Sequence, residues 1–173
     1  VLLATAAYAL DGFAFASEIE AGQALGERQF IRFIESLWAG AILSVVSTTI
    51  IVLIANLFHS QLFQTLTDFQ NVVTKANALM TWFTWILLAL CWSYWLDGVF
   101  IGITKTVDMC LAMFVATAFG WYGGLWLMGT NSLDQLMAAF LIFSAIRTIT
   151  LAARLPAVVF KLKRLSIQTR PKS

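Results

Sequence analysis

Four carboxylates stand where carboxylates are expensive. Asp11, Glu18 and Glu20 lie within YALDGFAFASEIEAGQALG, which runs from Tyr8 to Gly26 with no basic residue before Arg28, and Asp97 lies within CWSYWLDGVFIGITKT. An acid at the centre of a membrane helix costs about 2.5 to 3.5 kcal/mol on insertion scales, so these groups must face protein or water. The chemistry open to them there is reversible loading with a proton or a cation. Asp11 and Glu18 are seven residues apart and share a helix face, whereas Glu20 sits about 200° round from Glu18. At about 1.5 Å per residue, Glu18 lies about 15 Å in from Arg28, near the middle of a hydrocarbon core roughly 30 Å thick. Asp11 lies about 25 Å along the same helix, and Asp97 about 12 Å inside Lys105. Depth alone makes Glu18 the best-placed ion site.

The elements that hold these acids follow from composition. Of 173 residues, 60% are hydrophobic and 12% charged, and the mean hydropathy is +0.83, all far from a soluble domain. Apolar runs recur at 1–26, 33–57, 78–103, 109–128 and 133–153, each bounded by charged or turn residues. At about 20 residues or more, each can cross the bilayer. The run AILSVVSTTIIVLIANLF is continuous rather than alternating, so its backbone satisfies itself as helix and not as a barrel strand. The expected fold is an all-α integral membrane bundle of about five transmembrane helices, followed by a basic tail at 154–173.

Lys and Arg collect in cytoplasmic loops. Arg28 and Arg32 follow the first run, Lys105 follows the third, and the tail carries Arg154, Lys161, Lys163, Arg164, Arg170 and Lys172. The opposite side offers only Lys75. This places the C-terminus in the cytoplasm and Val1 outside. With no initiator Met and no lead-in before the first run, the sequence reads as the C-terminal piece of a longer transporter or channel.

Gly22 and Gly26, Gly98 and Gly102, and Gly120 and Gly124 form small-xxx-small pairs that let helices approach closely. Gly98, directly after Asp97, also gives its helix a place to loosen beside the acid. The tripeptide LDG occurs at 10–12 and again at 96–98, but the flanks do not match as a duplicated unit. Trp82, Trp85, Trp92 and Trp95 fall within an arc of roughly 140°. Trp82, Trp85, Trp121 and Trp126 suit interfacial anchoring. Trp92 and Trp95 lie deeper and read either as packing or as an apolar wall for an aromatic or cationic substrate. His59 stands alone in a polar loop, and Cys91 and Cys110 lack a CxxC partner. With no phosphate-cradling glycine loop or metal spacing, neither an enzyme nor a cofactor is expected. The basic tail fixes topology and touches anionic headgroups, and no nucleic-acid partner is expected.

YALDGFAFASEIEAGQALGER resembles the eighth transmembrane helix and following loop of the multidrug and toxic compound extrusion (MATE) transporters, within their DinF-like branch. WLDGVFIGITKTVDMCLAM resembles the tenth helix running into the eleventh, and NSLDQLMAAFLIFSAIRTITLAARL is similar to the closing twelfth. The resemblance spans essentially the whole chain and implies helices eight to twelve of twelve, most of a C-terminal lobe. It implies a multi-pass protein of the inner (plasma) membrane, whose two six-helix lobes rock between inward-open and outward-open forms. Cationic or amphipathic compounds would be exported in exchange for H+ or Na+. By motif position Asp97 matches the family's ion-coupling acid on helix ten, Glu18 matches an acid on helix eight, and Asp11 is a weaker match there. Trp92, Trp95 and Glu20 are the residues expected at the substrate cavity, Glu20 towards its cytoplasmic mouth. The implied partners are the bilayer, the exported compounds and the N-terminal lobe, which in this branch also carries a coupling acid.

Two rival readings follow from the same residues. A lipid-linked saccharide flippase of the broader superfamily would line its cavity with several Arg or Lys for a pyrophosphate, but Arg147 is the only basic residue within an apolar run. A non-transporting membrane subunit would use its intramembrane acids as ion-pair partners, and Arg147 would then have to serve all four.

Overall fold

The computed structural model of the chain describes residues 2–66, 73, 77–129 and 132–168. Five long helices make up nearly all of them: α1 (Leu2–Gly26), α2 (Phe30–Leu66), α3 (Met80–Gly102), α4 (Thr106–Met128) and α5 (Leu133–Gln168). Helices α2 to α5 are each long and apolar enough to cross a membrane. Helix α1 has the length, at 25 residues, but carries three acids, and it packs against both α2 and α3.

Two helices run further than their apolar stretches. Helix α2 continues past position 57 to Leu66, so His59 is in a helix and not in a loop, with its Nδ1 2.7 Å from the Asn56 carbonyl oxygen. The segment HSQLFQTL contains neither Gly nor Pro, so nothing in it stops a helix already running. Lys75 lies outside the described residues. Helix α5 continues past 153 to Gln168, through Pro156, and is about 54 Å long by its rise. Leu162 is buried in the same cluster as Leu151, with Leu155, Val158 and Val159 packed against it. The segment 154–168 is therefore a docked helix rather than a free tail.

Helix directions follow from close contacts. A Cβ at Gly98 would fall 2.1 Å from the Ala14 carbonyl oxygen, and one at Gly102 would fall 2.2 Å from the Glu18 carbonyl oxygen. Only glycine lets two backbones lie this near, so α1 and α3 run parallel with Gly98 and Gly102 as the seam. Gly98 thus serves packing. The other LDG differs, because a Cβ at Gly12 would meet nothing within 4 Å. Trp82 Nε1 donates to Asp134 Oδ1 at 2.8 Å, tying the start of α3 to the start of the parallel α5. Gly120 faces Phe143 and Gly124 faces Ala139, which makes α4 antiparallel to α5.

Within α4, residues Ala116–Tyr122 form a π-helix. Ala112, Ala116, Gly120 and Gly124 are all buried at every fourth position. On a straight α-helix such a stripe drifts about 40° per step, and the wider π turn takes that drift back. The small residues therefore stay aligned on α5.

The loops after α1 and α3 close alike. Arg28 (φ 54°) and Thr104 (φ 57°) both adopt the left-handed region. Each is followed by a capping bond, Gln29 N–H to Ala24 at 3.1 Å and Lys105 N–H to Phe100 at 2.9 Å.

Buried apolar side chains form two clusters along the bundle. One gathers Ala21, Phe33, Leu96, Phe100 and Leu151 near the end where α1 and α3 finish. The other gathers Ala6, Leu10, Ala55, Phe83 and Leu87 towards the opposite end. Trp38, Ile42, Leu53, Leu57, Phe114, Phe119 and Trp126 are exposed, as a lipid-facing surface requires. Ser47, Thr48, Ser144 and Thr148 donate to carbonyls one turn back, which satisfies their hydroxyls inside apolar helices.

Candidate functional site

Asp97 lies where the two apolar clusters meet. Leu96 and Val99, on either side of it, are buried in one cluster, while Leu90 belongs to the other. The glycine seam fixes its depth against α1, since Gly98 abuts Ala14, one turn along from Asp11. The parallel run of α3 and α5 brings Arg147 to the same level, and its guanidinium donates to Asp97 Oδ2. Both side chains are largely buried, 11% exposed for Asp97 and 18% for Arg147. The second oxygen, Asp97 Oδ1, is buried without a hydrogen-bond partner among the described residues. Tyr94 lies one turn before Asp97 on the same helix.

Asp11 stands one turn before Ala14, the residue that Gly98 abuts, whereas Glu18 lies a turn further on, level with Gly102. The acid that α1 contributes to this layer is therefore Asp11, which is itself exposed. Glu18 is half-buried, and its backbone rather than its carboxylate meets α3, at Gly102. Asp97, Arg147 and Asp11 together carry two negative charges and one positive when ionised. One proton or one monovalent cation balances that layer.

A separate cleft of about 370 Å³ opens between α1 and α2, lined by Ser17, Glu20, Arg32, Glu35, Ser36 and Gly40 among others. Arg32 bridges its rim, 2.6 Å from Glu27, 3.8 Å from Glu20 and 3.2 Å from Gln23. Trp95 stands behind the wall: a Cβ at Gly40 would lie 2.9 Å from its Nε1, which is buried and without a hydrogen-bond partner among the described residues. Trp92 meets Trp95 edge-on with centroids 5.9 Å apart, and is itself exposed. Of the residues expected at a substrate cavity, Glu20 lines this cleft, Trp95 backs it and Trp92 faces outward. Among the described residues, no three His, Cys, Asp or Glu side chains converge as a metal site.

Sequence reasoning placed Arg147 only in the rival readings, as the single base available to pair with the intramembrane acids. Two signals pointed to it: it is the lone base inside an apolar run, and it stands 14 residues into α5, much as Asp97 stands 17 residues into the parallel α3.

The MatE family matches residues 2–124 of the chain. The chain is 32% identical over 152 residues to the DNA damage-inducible protein F of Escherichia coli (strain K12), an alignment that covers 88% of this chain and 33% of that protein. The chain thus spans about a third of the length of the curated relative it matches. No solved structure matches it. The family match runs from the start of α1 into α4 and so takes in both acid-bearing helices, and the chain belongs to the MatE (multidrug and toxic compound extrusion) family of multi-pass membrane transporters, in its DinF-like branch.

Proposed function

We propose that this chain forms most of the C-terminal lobe of a secondary active multidrug efflux transporter, which exports cationic or amphipathic compounds in exchange for H+ or Na+ by alternating access. The observation that carries this reading is the buried ion pair of Asp97 and Arg147, in which one Asp97 carboxylate oxygen has no hydrogen-bond partner among the described residues, with Asp11 one turn from the Gly98–Ala14 contact. A site in that state takes up one cation at a time. A proton and a cationic substrate then compete for the same carboxylate, so loading one releases the other when the two conformations open it to opposite sides. Asp97 is the exchanging acid in this scheme, Asp11 modulates its charge, and Glu18 has a lesser role.

The other wall of the cavity comes from an N-terminal lobe supplied by the rest of the transporter. The loops after α1 and α3, the start of α2 and the C-terminal part of α5 share one end of the bundle and carry Arg28, Arg32, Lys105 and Arg154, which supports a cytoplasmic C-terminus. Engagement of Arg147 by Asp97 weighs against a saccharide flippase, which needs free internal bases for its pyrophosphate.

The deciding experiment is ethidium efflux from drug-sensitive cells that express the full-length protein, wild type against Asp97→Asn, with proton and sodium gradients dissipated in turn. Efflux should collapse in the variant at equal membrane abundance. Unchanged efflux would remove Asp97 from the exchange.

A further inference from the structure

Arg147 is the charged group that the exchange scheme leaves without a task. Its guanidinium is largely buried and bound to Asp97 across two parallel helices. A guanidinium does not release its proton in proteins. While the pair holds, Asp97 is therefore already neutralised, by a monovalent cation that belongs to the protein. Any proton or substrate cation that loads Asp97 competes with that cation for the carboxylate charge. The other groups around the pair are few. Asp11 and Tyr8 come from α1 and Tyr94 from α3, while Asp108 at the start of α4 is held by Arg154. The charged residues at the start of α2, Arg32 and Glu35, line the separate cleft. Asp11 lies one turn from Ala14, which abuts Gly98 beside Asp97, so α1 carries a second carboxylate near the level of the pair.

We propose that Arg147 is a resident competitor, a positioning residue that occupies Asp97 until a proton or a monovalent cationic substrate displaces it, and so sets the affinity at which the acid can be loaded. The proposal rests on the reading of Asp97 as the exchanging acid. It makes an unusual directional claim: removing a charged residue from the core should improve ligand binding, because the competitor goes with it.

The test is equilibrium dialysis of tetraphenylphosphonium against purified full-length protein in detergent. Asp97→Asn should bind about tenfold more weakly and Arg147→Gln about tenfold more tightly, within the usual span of coupled sites. Arg147→Lys, which keeps the charge, should stay near wild type. The double variant Asp97→Asn/Arg147→Gln should match Asp97→Asn, because Arg147 acts only through that acid. Breaking one side of a buried pair destabilises a protein, so Arg147→Gln must keep a wild-type gel-filtration profile. If it does not, the double variant, which buries neither charge, decides. Weaker or unchanged binding in folded Arg147→Gln, beside weak binding in Asp97→Asn, overturns the competitor role and leaves the exchange reading standing. A double variant that differs from Asp97→Asn overturns it as well. Undiminished binding in Asp97→Asn removes both.

Discussion

The two LDG tripeptides offer a matched pair of perturbations. Gly98→Ala places a Cβ 2.1 Å from the Ala14 carbonyl oxygen and 2.8 Å from the carbonyl carbon, about 1.3 Å short of an ordinary contact. The opposing atoms are backbone, so no rotamer change relieves them and α1 must move away from α3. That movement also opens the Gly102 contact with Glu18 and the packing of Ala14 and Ala21. Overpacked cores that yield by side-chain shifts lose about 1 to 3 kcal/mol, and a clash against main chain belongs at the upper end, about 3 kcal/mol. Gly12→Ala meets nothing within 4 Å, and replacing glycine inside a helix gains roughly 0.5 to 1 kcal/mol. The two variants should therefore differ by about 3.5 to 4 kcal/mol, with the same residues exchanged in the same tripeptide. Unfolding in mixed micelles, followed by far-ultraviolet circular dichroism, measures the difference. Ala14→Gly should give no rescue, because the atoms in the way remain. A Gly98→Ala protein as stable as Gly12→Ala would refute the parallel glycine seam, and with it the register that sets Asp97 beside Asp11.

Other perturbations read individual contacts. Trp82→Phe removes the bond to Asp134 and should cost about 1 kcal/mol in the same unfolding assay, with Asp134→Ala costing about the same and the two effects not adding. Thr104→Gly should stabilise the protein by about 1 kcal/mol, because a β-branched residue at φ 57° pays for a conformation that glycine adopts freely. Arg32→Gln should cost less than about 1 kcal/mol at low ionic strength and nothing measurable in 1 M salt (a Debye length of about 3 Å), since the Arg32 side chain is 37% exposed.

The helical class of the fold was legible because hydropathy acts locally, and Asp97 drew attention for the same reason, as a charge inside an apolar run. The extensions of α2 and α5 were not, because apolar runs mark where lipid begins and ends, whereas a helix ends only at a stop signal. HSQLFQTL has none, and Pro156 does not end α5. Depth counted from the flanking bases favoured Glu18, but which acid joins Asp97 depends on how α1 lies against α3. That register comes from Gly98 meeting Ala14, a contact between distant segments that spacing alone does not reveal. The same holds for Arg147, whose partner is 50 residues away and becomes a neighbour only once α3 and α5 run parallel.

The π-helix of α4 has a consequence for how the chain tolerates change in length. A π turn is an α-helix that has absorbed an extra residue. Deleting one residue within Ala116–Tyr122 should let the segment relax to ordinary α-helix while Gly124 still faces α5. The same deletion in the middle of α3 would turn everything after it by about 100° and carry Asp97 away from Arg147. Helix α4 thus holds a spare residue, and shortening the chain there should spare the fold where shortening it elsewhere would not.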